Sequence, residues 1–203
     1  MTRFTRKHAI NTNGKAEALG ITNLPGTDVN INPILTSDYI YTNLDKLFTN
    51  CIIPIQDHFD ANGTNIGITS AYRCSAYNAI IGGVKNSHHT HGYAADIIAI
   101  NNTSAEIINW CIENLPEWNQ LIWEFPEKGM FTNSNVNCSW VHISYIEGNN
   151  PRVISVASNL ESLHNSYNDS DTLRRGTYTH YIKQADIDKQ IKLIKQNGRK
   201  TTI

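Results

Sequence analysis

The stretch 70–97 constrains the fold more than any other part of the sequence. It places three histidines, an arginine and an aspartate between two short apolar runs. His89 and Asp96 stand seven residues apart on either side of a glycine. A loop histidine and the start of a strand at 93–100 are therefore expected to converge on one point.

A second apolar run, at 139–145, places His142 in the middle of a strand-like alternation, facing away from its two apolar neighbours. Together with His89 and Asp96 it supplies two imidazoles and one carboxylate. That set is typical of a hydrolytic zinc site in which one position is left open for water.

The remaining apolar patterns predict an α+β fold, an antiparallel sheet with flanking helices. Ser37 or Asp38 is predicted to cap a helix, with Pro54 breaking or kinking it late. The other predicted elements follow in this order: a strand at 65–72, a short helix at 75–81, a strand at 93–100, a helix after a Thr103–Glu106 capping box, and strands at 120–125 and 139–145.

The chain of 203 residues, 40% of them hydrophobic, suits one globular domain with appendages. Residues 1–18 are polar and predict an N-terminal arm, and residues 19–157 form the main domain. The segment 158–203 begins as a polar linker and continues, from Ile182, as an amphipathic helix with interleaved lysines. This tail either docks on its own domain or serves self-association or attachment to a virion.

Charge and composition exclude several classes of partner. The net charge of −1 and the absence of a basic stripe argue against binding to nucleic acid or to an anionic membrane. No run approaches the ~20 apolar residues that a membrane-spanning helix needs. The four cysteines show no Cys-x-x-Cys spacing and predict buried thiols. The charged N-terminus, which no apolar stretch follows, predicts synthesis in the cytoplasm without a signal peptide. A target outside the cytoplasm would therefore require another route of export.

Several motifs occur in order at compatible spacings: Ser-Ala-Tyr-Arg at 70–73, Asn78, Gly82-Gly83-Val84, Ser87-x-His89-x-x-Gly92-x-Ala94-x-Asp96, and Trp140-Val-His142. Together they resemble the zinc D-alanyl-D-alanine carboxypeptidase family of murein peptidases, and more closely its short bacteriophage-type members. The similarity extends from about Leu19 to about Ser155. It implies a hedgehog/D-Ala-D-Ala peptidase-like fold around a single zinc site.

The resemblance also implies roles for individual residues. His89, Asp96 and His142 match the three metal-ligand positions, with Zn²⁺ as the cofactor and a peptidoglycan stem peptide as the partner. Arg73 matches a residue that binds substrate or stabilises the oxyanion, for which a planar fork of donors is suited. Ser87 matches a position that organises the loop or binds a substrate carboxylate by hydrogen bonding. His88 and His91 match no ligand position and are interpreted as loop residues near the substrate.

The general base departs from the family pattern. In better-studied relatives an acidic residue or a histidine shortly before the last ligand takes this role, but Ser139 and Trp140 stand there in this chain. Neither side chain accepts a proton near neutral pH. Glu124, in an apolar strand, is therefore assigned as the base, because a carboxylate in such a run rarely lacks a purpose. The alternatives are a structural Glu124 bonded to the metal loop, or a site that binds zinc without turnover.

These features predict a zinc peptidase that cuts D-amino-acid-containing bonds of peptidoglycan, as a D-Ala-D-Ala carboxypeptidase or an endolysin-like endopeptidase. Such an enzyme would act on the cell wall after release as a phage lysin, or as part of a virion. The alternative, favoured by Ser139 at the usual acidic position, is a virion structural or wall-binding protein that keeps the fold and zinc without catalysis. A hedgehog-like signalling domain shares the fold and is disfavoured because no secretion signal is present.

Overall fold

The protein forms a mixed seven-stranded sheet flanked by helices. A computed structural model describes residues 4–100, 104–125, 138–158, 170–173 and 176–181. The elements in chain order are α1 (Arg6–Ile10), α2 (Lys15–Ala18), α3 (Ser37–Leu47), a π-helical turn (Phe48–Ile52), α4 (Ile53–Ala61), β1 (Asn65–Ser70), α5 (Ser75–Ile80), a 3-10 turn (His88–His91), β2 (Ala94–Ile100), α6 (Ser104–Asn114), β3 (Gln120–Glu124), β4 (Trp140–Ser144), β5 (Val153–Ser158), β6 (Ser170–Leu173) and β7 (Gly176–Tyr181).

The sheet has the strand order β1-β2-β4-β3-β5-β7-β6. Its first four strands are antiparallel neighbours, as the sequence predicts. The addition of β5 was not predicted, and it pairs with β3 in parallel. Because the chain reverses direction after β4 and settles on the far side of β3, β5 runs against β4 and hence along β3. The α+β prediction, with a four-stranded antiparallel sheet and flanking helices, is confirmed.

The alternation of side chains along β2 and β4 separates the core from the site. Ala95, Ile97, Val141 and Ile143 are fully buried in the hydrophobic core, which also contains the apolar faces of α3, α4 and α6. The residues between them, Asp96 and His142, point to the opposite face because successive side chains of a strand alternate. The packed core thus fixes both strands, and the polar residues are presented on the other side.

The cap of the first long helix is Thr36, one residue before the nearer of the two predicted caps, Ser37 and Asp38. Thr36 caps α3, with its hydroxyl oxygen accepting a hydrogen bond from the Tyr39 N–H at 3.2 Å. Pro54 is the second residue of α4 and directly follows the π-helical turn that joins α3 to α4, so the regular α-helical pattern is interrupted just before the proline. The predicted cap of α6 at Thr103 lies outside the described residues.

Both ends of the chain differ from the simple arm and linker that composition suggested. Residues 4–18 contain α1 and α2, whose small residues Ala9 and Ala16 are buried in the core. Residues 170–173 and 176–181 form β6 and β7, and β7 pairs antiparallel with β5. The Thr and Tyr residues of β7 favour a strand, a signal that the polar composition obscured. The amphipathic helix predicted from Ile182 lies outside the described residues.

Two further predictions concern the thiols and the membrane. All four cysteines are buried, as expected for thiols that pack as small apolar side chains. Within the described part of the chain, no helix has the length and apolar character needed to cross a membrane.

Candidate metal centre

Three predicted ligands converge on one point. His89 lies on the 3-10 turn, and Asp96 and His142 are directly opposite each other on β2 and β4. The His142 Nδ1 atom is 3.0 Å from Asp96 Oδ1 and 3.2 Å from His89 Nε2. His89 Nε2 is also 3.2 Å from Asp96 Oδ1. All three residues are buried, and together they form a group that could hold a metal ion.

The separations of these atoms fit a zinc ion. Tetrahedral zinc with bonds of about 2.0–2.1 Å places neighbouring nitrogen and oxygen ligands about 3.3 Å apart. The observed triangle, with sides of 3.0 and 3.2 Å, is close to that spacing. The other ring nitrogen of His142, Nε2, is buried without a hydrogen-bond partner among the described residues. A proton at that nitrogen leaves Nδ1 with a lone pair for the metal.

The loop before β2 is shaped to present His89. The Ser87 hydroxyl oxygen accepts a hydrogen bond from the His89 N–H at 3.3 Å and caps the 3-10 turn. The turn ends at Gly92, which has a φ of +73°. A Cβ atom at this position would lie 2.7 Å from the Ile40 carbonyl oxygen, so both conformation and space require glycine. Ser87 therefore organises the loop, one of the two roles expected for it.

The tautomer of His89 is set by the chain near β1. Its Nδ1 lies 2.6 Å from the Ala71 carbonyl oxygen, which can only accept, so Nδ1 carries the proton. Nε2 then has a lone pair directed at the other ligands. A hydrogen bond of this kind from the second ring nitrogen is a general feature of metal-binding histidines.

Arg73 binds one carboxylate oxygen of Asp96, the predicted carboxylate ligand. Its Nη2 forms an ion pair with Asp96 Oδ2, and its Nε donates to the Ser70 hydroxyl oxygen at 2.7 Å. Asp96 Oδ1 remains directed at the histidines. The sequence motif contains Ser70 and Ala71 but predicts no role for either residue. The sequence signal for the contact between Ser70 and Arg73 is the position of Ser70 three residues before the arginine.

The electrostatics of the site favour the protonation states that a metal needs. Burial lowers the pKa of His89 to about 4, so the ring is neutral at physiological pH. Burial of Asp96 opposes ionisation, but His89 and Arg73 outweigh it and hold the pKa of the carboxyl well below its usual range. Neutral imidazole and ionised carboxylate are the forms in which these side chains bind zinc.

Glu124 lies on the same face of the sheet as the ligands. Ile122 on β3 is directly opposite His142, and Glu124 is two residues further along, opposite Trp140. Burial and the negative charge of Asp96 raise the pKa of Glu124 to about 7, although His142, Arg73 and a hydrogen bond with Trp140 act in the other direction. The carboxyl thus interacts electrostatically with the metal-binding residues, and it titrates in the range that a general base needs.

Ser139 stands at the family's usual acidic position, and its side chain lies on the core side of the sheet. It is buried, and its hydroxyl donates to the Ser104 hydroxyl at 3.0 Å. The Ser104 hydroxyl in turn donates to the Ser139 carbonyl oxygen at 3.0 Å. Ser139 therefore anchors the start of α6 to β4, and it takes no part in the ligand cluster.

The two other histidines of the loop make separate contacts. His88 Nδ1 lies 3.1 Å from the Ser144 hydroxyl oxygen. The His91 ring stacks on Tyr93, with ring centroids 5.8 Å apart. Neither belongs to the group of converging ligand atoms, which agrees with their lack of a match to a ligand position.

Comparison with known proteins supports the same assignment. No curated protein matches the chain. Residues 34–124 match the family model described as Peptidase M15. The matched region contains two of the three ligands, Arg73 and Glu124, and it ends before His142. This match supports assignment to the peptidase M15 family, the zinc D-alanyl-D-alanine carboxypeptidase type that the motifs of the chain resemble.

Proposed function

We propose that this protein is a zinc-dependent peptidase that cleaves D-amino-acid-containing peptide bonds in the stem peptides of peptidoglycan. The observation that carries the proposal is the buried triangle formed by His89, Asp96 and His142 in a chain that matches the model of a peptidase family. Its reaction is either release of terminal D-Ala or cleavage within the stem peptide. The substrate places its action at the cell wall, after release from the cytoplasm or as part of a virion.

The three ligands would hold Zn²⁺, and the remaining residues would act on the substrate around it. When bound by these three residues, Zn²⁺ would supply polarisation of the scissile carbonyl and a water whose pKa is lowered to about 7. Arg73 fixes Asp96 through one edge of its guanidinium. A guanidinium has five N–H donors, more than the contacts to Asp96 and Ser70 use, so the same side chain is suited to a substrate carboxylate or to the developing oxyanion.

Glu124 is proposed to accept the proton from the attacking water. A raised pKa of about 7 supports this role, because a general base is most effective when its pKa lies near the working pH. Its position on the ligand face of the sheet is also required for the role. Proton transfer to the leaving amine would then return the carboxyl to its ionised form.

A hydrolysis assay on purified murein tests the proposal. We expect the metal-restored protein to release soluble peptide fragments or D-Ala, identified by mass spectrometry, and the chelated protein to release none. Glu124→Gln, loaded with zinc, serves as the matched inactive protein. Absence of hydrolysis by a wild-type protein that holds a full complement of zinc would instead support the second candidate, a wall-binding protein without catalysis.

A further inference from the structure

Asn23 makes three hydrogen bonds from a buried position ahead of the region that the family model matches. Its side chain is only 4% exposed. The amide nitrogen Nδ2 donates to the Ile10 carbonyl at 3.0 Å and to the Tyr72 carbonyl at 3.1 Å. The amide oxygen Oδ1 accepts from the Cys74 N–H at 2.7 Å. One side chain thereby satisfies three backbone groups from two separate parts of the chain.

Two of these bonds hold the peptide groups on either side of Arg73. The Tyr72 carbonyl belongs to the peptide that precedes Arg73, and the Cys74 N–H belongs to the peptide that follows it. Buried hydrogen bonds are strengthened by the low local dielectric, and an unmade one is costly. Asn23 therefore fixes the backbone from which the arginine side chain extends.

The same short segment supports the metal centre. The Arg73 N–H donates to the His89 carbonyl at 3.2 Å, and the Ala71 carbonyl accepts from the His89 ring. The Arg73 guanidinium reaches Asp96. A shift of the backbone at Arg73 would thus be transmitted to two of the three ligands.

We propose that Asn23 is a positioning residue for the reaction: it sets the place of Arg73 through the backbone and thereby orients Arg73 toward Asp96 and the substrate. The kinetic consequence rests on the proposed peptidase function. The structural consequence, an ordered Arg73 guanidinium, does not depend on activity and is measured separately.

The kinetic test is a double-mutant cycle with Asn23→Ala and Arg73→Ala. A small misplacement of a positioning group can lower the rate by roughly 10²-fold, so we expect Asn23→Ala to reduce kcat/KM by about 10–100-fold. In the Arg73→Ala background the same change should have little further effect, because the group that it positions is absent. An equal loss in both backgrounds would overturn the proposal.

Asn119→Ala is the matched control for general destabilisation. Asn119 is also buried, and its Nδ2 donates to the Asn149 carbonyl at 2.7 Å, in a turn away from Arg73. We expect this variant to unfold at a lower temperature while kcat/KM stays within about twofold of wild type. If it loses as much activity as Asn23→Ala, the effect of Asn23 is general destabilisation.

Nuclear magnetic resonance of the arginine side chain provides a readout that needs no activity. The Arg73 Nε–H donates to Ser70, so its signal should exchange slowly with water in the wild type and rapidly in Asn23→Ala. Asn23→Asp keeps the size and the acceptor for Cys74 but loses both donated bonds, and it should show intermediate exchange if Asn23→Ala does not fold. An unchanged signal in the folded variants would overturn the proposal, even if the wild type proves to be inactive on murein.

Discussion

Asp96 and His142 are cross-strand partners, and Asp96 Oδ1 lies 3.0 Å from His142 Nδ1. Side chains directly opposite each other on antiparallel strands are the closest neighbours that a sheet provides. The core-facing residues on either side of them fix both strands in this register. A metal ion bound here therefore links two central strands, and His89 joins them from the preceding loop.

His142→Ala should remove the metal and lower the temperature of unfolding, because metal-binding free energy is also folding free energy. Metal content is measured by elemental analysis, and unfolding by circular dichroism. His58→Ala is the control, since His58 is a half-buried histidine on α4 that stacks on Trp110. Retention of one metal per chain by His142→Ala would show that the ligand set is different.

Glu124→Gln should retain the fold and the metal but lose activity by roughly 10²–10⁴-fold, the usual effect of removing a general base. The amide is isosteric with the carboxyl but cannot accept the proton. Glu147→Gln, in an exposed ion pair with Lys46, is the control and should remain active. If Glu124→Gln loses zinc, the residue instead orients a ligand, and if it remains active, another group is the base.

The convergence of His89, Asp96 and His142 could be predicted from the sequence because their signals are local. His89 and Asp96 lie within one short motif, and His142 stands in an apolar alternation that fixes its face. The contacts that support them could not be predicted. The Ala71 carbonyl contacts His89 and the Ser70 hydroxyl contacts Arg73, and the directions and distances of these contacts are determined only in the folded chain. Glu124 could be selected as a carboxylate in an apolar run, but its place on the ligand face follows from the pairing of β3 with β4.

Ser139→Asp should not create a replacement base. A carboxylate at this position would face Ser104 at the start of α6 rather than the ligand cluster. The double variant Glu124→Gln, Ser139→Asp should therefore remain as inactive as Glu124→Gln alone, measured as release of D-Ala or of soluble peptide from murein. Restored hydrolysis would mean that Ser139 can reach the site.

The ends of the chain were the least predictable part of the fold. The short sequence 4–18 lacks a long apolar period, yet its two small alanines fit into the core. Residues 170–173 and 176–181 are polar in composition, but their backbones pair in a sheet. In the first segment tertiary contacts outweigh the local pattern, whereas the Thr and Tyr residues of β7 themselves favour a strand. The division of the chain at residue 158 into a main domain and a tail stays a prediction.

The metal-free protein should lose stability as the pH falls from about 6.5 to about 4. Burial lowers the pKa of His88 and of His89 from 6.5 to about 4, so in this interval the unfolded chain binds protons that the folded chain does not. Glu124 acts in the opposite direction, because its pKa is raised from 4.5 to about 7 and the folded chain keeps its proton longer. The two histidines outweigh the single carboxyl.

Urea denaturation of the chelated protein at several pH values measures this balance. Glu124→Gln removes the opposing contribution, so its midpoint should fall more steeply with acidification than that of the wild type. A midpoint that is independent of pH between 6.5 and 4 in both proteins would contradict the burial of the histidines as neutral rings.

The most direct test of the central claim is a zinc titration of the chelated protein. Bound metal and hydrolysis are measured on the same samples, with murein or a peptide ending in D-Ala-D-Ala as the substrate. If His89, Asp96 and His142 form the catalytic zinc site, activity should rise in proportion to bound zinc and reach its maximum at one zinc per chain. His142→Ala should neither bind the metal nor gain activity. Hydrolysis that is unaffected by removal of zinc, or that persists in His142→Ala, would contradict the account.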